Sequence, residues 1–349
     1  MSGLKSLGLA AVLALGLPGL AQAADEVNLL AWCDHDDPSI YAPFEAETGI
    51  KVNVKVYELT GAAISILEQS DAGDWDVFIV DTADVLRMAE AGWLEPLDPA
   101  DFPYDKLFEG AKTPHLHELD GTLYGVPEKF GFNTLAYDGR KVGADGREVS
   151  LDLLFDPAMK DRVAVYDYYL PIILTLGMRH GVKPADFDAE TLAKVREDLF
   201  ALKDNAKIVG DLIATQTALA TGDVDLLIGA AEWVAPLQAE KPYLDWGTPV
   251  EGGLRWSQSV ALFKDSEKKA AALNLAQYLM SPEGQARVAL APCYNAMPTN
   301  SAAALDAAQK ASLRWAEIDA FLANTYDYGA VSPELDEEMV EVWTEFLAH

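Results

Sequence analysis

Val52-Asn53-Val54-Lys55-Val56-Tyr57 alternates apolar and polar side chains with period two, the mark of a strand with one buried face. Further on, Val77-Phe78-Ile79-Val80 is apolar without interruption, as in strands covered on both faces. Between them runs a helical pattern that ends near Ala72-Gly73. Towards the start, Ser39 to Thr48 reads as a helix stopped by Gly49, and Val27 to Trp32 as another strand. Strand, helix, strand, helix, strand is the order of a parallel sheet covered by helices, which sets the class as α/β.

The pattern continues towards the other end. Tyr124-Gly125-Val126-Pro127 leads into Phe130 to Tyr137, which reads as a crossing strand. Val163-Ala164-Val165-Tyr166, Leu226-Leu227-Ile228 and Ser259 to Phe263 are further strands. Leu192, Val195, Leu199 and Leu202 fall at helical spacing behind an Asp188 cap. Helices are expected from a Ser266 cap to Met280, from Ser281-Pro282-Glu283, and from Ser332-Pro333-Glu334. The last carries Leu335, Met339, Val342, Trp343 and Phe346 on one side. Two α/β units in one chain imply two lobes with a cleft between them, a preferred place for a ligand.

The chain has 349 residues, half of them hydrophobic and 23% charged, a globular composition with room for about two domains. Its formal net charge of −30 excludes nucleic acid and anionic lipid as partners and favours cations; the acidity also serves solubility alone. Lys5, the apolar run Leu7 to Leu17 and the small-residue signal Ala21-Gln22-Ala23 read as an export signal over residues 1–23, cleaved before Ala24. There are only two cysteines, Cys33 and Cys293, either bridged or buried as thiols.

No G-x-S-x-G, H-E-x-x-H or P-loop motif is present. His115-x-His117 sits in a polar stretch and reads as a surface loop rather than a metal site. Cys33-Asp34-His35-Asp36-Asp37 is denser in ligating groups. It would hold a transition metal or, at the carboxyl end of the first strand, receive a cationic ligand. Asp81-Thr82 follows the third strand in the same way, suited to capping the next turn and to meeting a ligand. Trp32 at a strand end and Trp256 after Glu251-Gly252-Gly253 offer aromatic faces for an ammonium, worth roughly 0.5–2 kcal/mol each, or pack in the core.

Taken together these residues resemble the extracellular solute-binding proteins of ABC importers, most closely the periplasmic spermidine/putrescine-binding family. The landmarks are Phe44-Glu45-Ala46-Glu47-Thr48-Gly49-Ile50-Lys51-Val52, Asp76 to Val80, Ala91-Gly92-Trp93-Leu94-Glu95-Pro96-Leu97, Tyr124-Gly125-Val126-Pro127, Gly222-Asp223-Val224-Asp225, Val250-Glu251-Gly252-Gly253 and Tyr294-Asn295-Ala296. The resemblance implies a two-lobed fold, with 24–131 plus 257–301 as lobe one and 132–256 plus 302–349 as lobe two. It puts Cys33 and Cys293 in the same lobe. It also implies a periplasmic monomer without cofactor that docks on an inner-membrane permease and performs no chemistry on its ligand.

For the site, the resemblance implies aromatic packing by Trp32, Trp256 and Tyr294, with Trp233 and Tyr168 nearby. It implies ammonium acceptors among Asp34, Asp81, Asp167 and Glu232, with Cys33 and Thr82 beside them. The pattern also departs from the family. Gln258 stands where an Asp is usual, Ala83 where an aromatic is usual, and Ala230 where a Trp is usual. The ligand expected is a small organic cation, a polyamine first. Other amines, zwitterions or phosphonates facing Arg255 and Lys129 stay open. So do ferric iron at Tyr168-Tyr169 and, in a different class, an exported hydrolase built on the Cys33 to Asp37 loop.

Overall fold

A computed structural model describes residues 26–58, 60–143, 148–329 and 331–349. The expected export signal, residues 1–23, and its cleavage point before Ala24 lie outside the described residues. Lys51–Val56, Glu26–Ala31 and Val77–Asp81 lie side by side as parallel strands, with Glu26–Ala31 in the middle. A second parallel set, Leu226–Ala230, Val163–Tyr166 and Ala206–Gly210, has Val163–Tyr166 in its centre. Two long strands, Val126–Asp138 and Gly253–Leu262, join the sets and pair antiparallel with each other and with the adjoining strand of each set. The first is 13 residues long and buried throughout, so it spans about 43 Å at ~3.3 Å per residue. The fold is two-lobed α/β, and these crossing strands belong to both halves.

Local chemistry sets the helix ends. Asp37 accepts a hydrogen bond from Ser39 N at 2.8 Å, Pro38 opens the helix Pro38–Thr48, and Gly49 at φ 75° closes it. Asp188 caps Ala189–Lys203, and Ser281 and Ser332 cap Pro282–Ala289 and Pro333–Ala348. Ser266 is not the cap it was expected to be. Its hydroxyl accepts from Lys268 N at 3.0 Å and donates to buried Asp76 at 2.6 Å, and the helix starts at Lys269. The helix Thr60–Gln69 also stops short of Ala72-Gly73.

Each half has its own core. Val27, Leu29, Ile79, Val260 and Leu275 pack in one, and Val165, Ile172, Leu199, Ile228, Met339 and Phe346 in the other. A third cluster sets Phe130, Phe132 and Trp246 of the centre against Leu313 and Phe321 near the end of the chain. A disulfide joins Cys33 to Cys293, with Cα atoms 6.1 Å apart. Among the described residues no helix is long and apolar enough to cross a membrane.

Candidate functional site

Asp81 closes the strand Val77–Asp81 at its carboxyl end and stands at the start of the turn Thr82–Asp84. A side chain there ordinarily caps the turn, but this carboxylate makes no capping bond. No hydrogen bond or ion pair engages it. Burial first, and the neighbouring Asp84 second, raise its pKa to about 8. Burial also pushes up the hydroxyls of Tyr57, Tyr166, Tyr168 and Tyr294, and Asp81 is the next largest cause at each. The same charge reaches Tyr328. One unpartnered acid therefore stands among five tyrosines drawn from distant parts of the chain. Asp81, Tyr168, Trp256 and Tyr328 line a cavity of about 110 Å³, below the ~300–1,000 Å³ of drug-sized sites.

The walls are held from behind. Gly131 faces Trp256 across the two crossing strands. A Cβ on Gly131 would lie 2.0 Å from Glu232 Oε1 and 2.4 Å from the Trp256 ring, so only glycine lets both lie over the strand. Trp256 Nε1 donates to Glu232 Oε1 at 3.0 Å, and Phe132 N donates to Oε2 at 2.9 Å. Tyr294 stands edge-on to Trp256 at 5.6 Å between ring centres and lies 5.3 Å from Trp233. Trp233 in turn meets Tyr166 edge-on at 5.3 Å, and Trp32 packs on Tyr57 at 4.9 Å. Gln258 is paired in register with Asp81, is 2% exposed, and donates from Nε2 to Tyr294 Oη at 3.0 Å.

Several expected ligand contacts are used internally instead. Asp34 is buried and ion-paired with Lys129, and it also meets His35 Nδ1 at 3.0 Å. His35 Nε2 lies 3.0 Å from Glu128. Four ionisable side chains thus meet inside the half that holds the disulfide, with Glu128 Oε1 left unpartnered, and Asp34 is engaged by Lys129 and His35 rather than turned to a ligand. Cys33 is spent in the disulfide. Asp167 is exposed and accepts from Trp343 Nε1 at 2.9 Å, which turns it towards the last helix. Glu232, fully buried and raised to about 8 by burial, serves Trp256 rather than an ammonium.

Thr82 points inward to a chain of hydrogen bonds, to Ser259 at 2.7 Å and on from Ser259 to His117 Nε2 at 2.7 Å. His117 Nδ1 lies 2.9 Å from Thr113 O. A carbonyl only accepts, so Nδ1 carries the proton and Nε2 accepts from Ser259. Burial lowers the His117 pKa to about 4, which keeps the ring neutral. His117 is therefore no surface residue, whereas His115 is exposed.

The basic residues are spent as well. Arg255 donates to Asp327 from Nε at 3.0 Å and Nη2 at 2.6 Å, and Lys129 is held by Asp34. Tyr169 of the candidate iron pair donates to Asp336 at 2.7 Å, away from Tyr168. Among the described residues no group of three or more His, Cys, Asp or Glu side chains is placed to hold a metal. Tyr57 and Tyr328 were not singled out from sequence. Tyr57 ends the alternating strand Lys51–Val56. Tyr328 follows Thr325–Asp327, a strand too short to register as a pattern.

The sequence profile of the bacterial extracellular solute-binding proteins matches residues 39–316, and the chain belongs to that family. The putrescine/agmatine-binding protein of Pseudomonas aeruginosa is 27% identical over 306 residues, covering 81% of this chain and 80% of the relative. The putrescine-binding periplasmic protein PotF of Escherichia coli is 24% identical over 303 residues, covering 82% and 81%. Among solved structures, the spermidine/putrescine transporter's substrate-binding protein PotD of Streptococcus pneumoniae superposes with a TM-score of 0.77 at 16% identity, over 93% of this chain and 99% of that one. MotA of A. tumefaciens, solved with glucopine, reaches 0.68 at 16% identity over 92% and 99%. These structural likenesses establish the fold, and family membership makes the chain a solute-binding protein.

Proposed function

We propose that this chain is the periplasmic solute-binding component of an ABC importer, capturing a small organic cation by closure of two lobes. A polyamine such as putrescine or spermidine is the first candidate. The lobes are 24–131 with 257–301, and 132–256 with 302–349. The chain is exported by cleavage before Ala24, acts as a monomer, and leaves its ligand chemically unchanged. The observation that carries the reading is the unpartnered Asp81 carboxylate inside walls of Tyr168, Trp256 and Tyr328. A desolvated carboxyl keeps its charge at neutral pH only with a counter-charge beside it, and aromatic faces attract ammonium groups. An anionic ligand would need free basic groups, and Arg255 and Lys129 are both paired. The printed names of the relatives point the same way. The test is a thermal-shift screen of the mature protein against amines, amino acids and phosphonates. Amines raise the melting temperature by mass action; no shift with any amine refutes the proposal.

A further inference from the structure

We infer that the site takes a cation with a single charged head and a neutral, oxygen-bearing far end. The inference rests on the cation reading of the cleft and narrows it. Asp81 and Gln258 are register partners on adjacent antiparallel strands, so their side chains leave the same face of the sheet about 4.5–5.5 Å apart at Cβ. Gln258 Oε1 is buried and accepts from nothing. A carboxylate and an amide oxygen side by side suit one ammonium, which brings three donors and no acceptor.

The other acids lining the cavity, and Glu232 behind it, are engaged. Asp84 pairs with Arg87 at 2.7 Å and accepts from Thr60 at 2.7 Å. Asp327 takes the Arg255 guanidinium on one oxygen and faces His115 at 3.9 Å with the other. Both Glu232 oxygens hold N–H groups. Of the acids lining the cavity, Asp81 alone is left without a partner, while Asp167, Asp211 and Glu58 reach Tyr166 from outside it. A second ammonium would be desolvated there without a counter-ion.

The remaining polar vacancies among the site's aromatics, Trp32 Nε1 and Trp233 Nε1, have the wrong sign for a second ammonium. Trp233 Nε1 is buried among the same aromatics with no partner. It is a donor and asks for a lone pair, which a hydroxyl or carbonyl oxygen has and an ammonium lacks.

The test is calorimetric titration of the mature chain at pH 8 with 4-aminobutanol and with putrescine, two ligands of equal length that differ in one end group. Binding of the amino alcohol at least as tightly as the diamine is the expected result. Tighter binding of the diamine overturns the one-headed site and leaves the cation reading standing. Heat from neither overturns both. Gln258→Glu adds a second charge at the same head and should tighten the amino alcohol and the diamine alike, by about tenfold or more, the strength of a charged hydrogen bond. A folded variant that gains affinity for the diamine alone would put Gln258 at the far end and overturn the inference.

Discussion

Asp34 and Asp81 occupy the same kind of place. Each lies at the carboxyl end of a strand in one parallel set, where ligands of open α/β sheets bind. The first is withdrawn into an ion pair with Lys129 and a bond to His35, behind a disulfide. The second has no partner. The position of an acid at a strand end therefore marks where a site can be, and its pairing decides whether it is one. On the proposed function, the Asp34 loop is framework and the Asp81 turn is recognition.

The largest effect expected from that division is on folding. Asp34→Asn leaves the Lys129 ammonium buried without its counter-charge, and denaturant unfolding should show a loss of about 3–5 kcal/mol. Ligand preference should not change; a variant of wild-type stability with altered preference would make Asp34 a binding residue after all. Replacing Cys33 and Cys293 together by Ser should cost about 2–5 kcal/mol by the same measurement.

Asp81→Asn should do the reverse. Amine affinity by calorimetry should fall about 10- to 100-fold, the equivalent of ~1.5–3 kcal/mol. The empty protein should melt no lower than wild type, because a half-buried, unpartnered carboxylate is gone. A pH series refines this. Asp81 and Glu232 are both raised to about 8 in the fold. Below pH ~4 the folded and unfolded chains both hold these protons, so burial carries no penalty there. As pH rises towards 8 the unfolded chain has already lost them, so the melting temperature of the empty protein should fall across that span. Asp138, held low by Arg140, has largely titrated by the start of this window, whereas His117, held near 4, opposes the fall up to about pH 6.5, so the clearest decline lies between pH 6.5 and 8. A melting temperature that rises between pH 5 and 8 in Asp81→Asn and wild type alike would contradict the unpartnered state.

The smallest effect is expected at the back wall. Gly131→Ala forces the Trp256 ring and Glu232 apart and should weaken amine binding by several-fold, with the fold intact by circular dichroism.

Most of the architecture was legible in the sequence because it rests on periodicity and on short-range signals. The strands at 52–56, 77–80 and 163–166 and the caps Asp188, Ser281 and Ser332 are where the residues place them. The aromatics of the proposed site, Trp256 and Tyr294, singled out from sequence, do lie together in the fold, but its acids could not be told apart. Asp34, Asp81, Asp167 and Glu232 look equivalent in a sequence. They differ only in whether Lys129, Trp343, Trp256 or nothing lies opposite, and those partners are more than twenty residues away along the chain. His117 was misjudged for the same reason, since Ser259 approaches it from a strand far along the chain.

The bond from Trp256 to Glu232 has a practical consequence for anyone following this protein by its intrinsic emission. An indole whose N–H ends on a carboxyl group that gains or loses its proton near pH 8 is an optical pH indicator in its own right. Spectra recorded as a basic ligand is added will mix occupancy with titration unless the buffer is matched. A control series in Glu232→Gln separates the two signals.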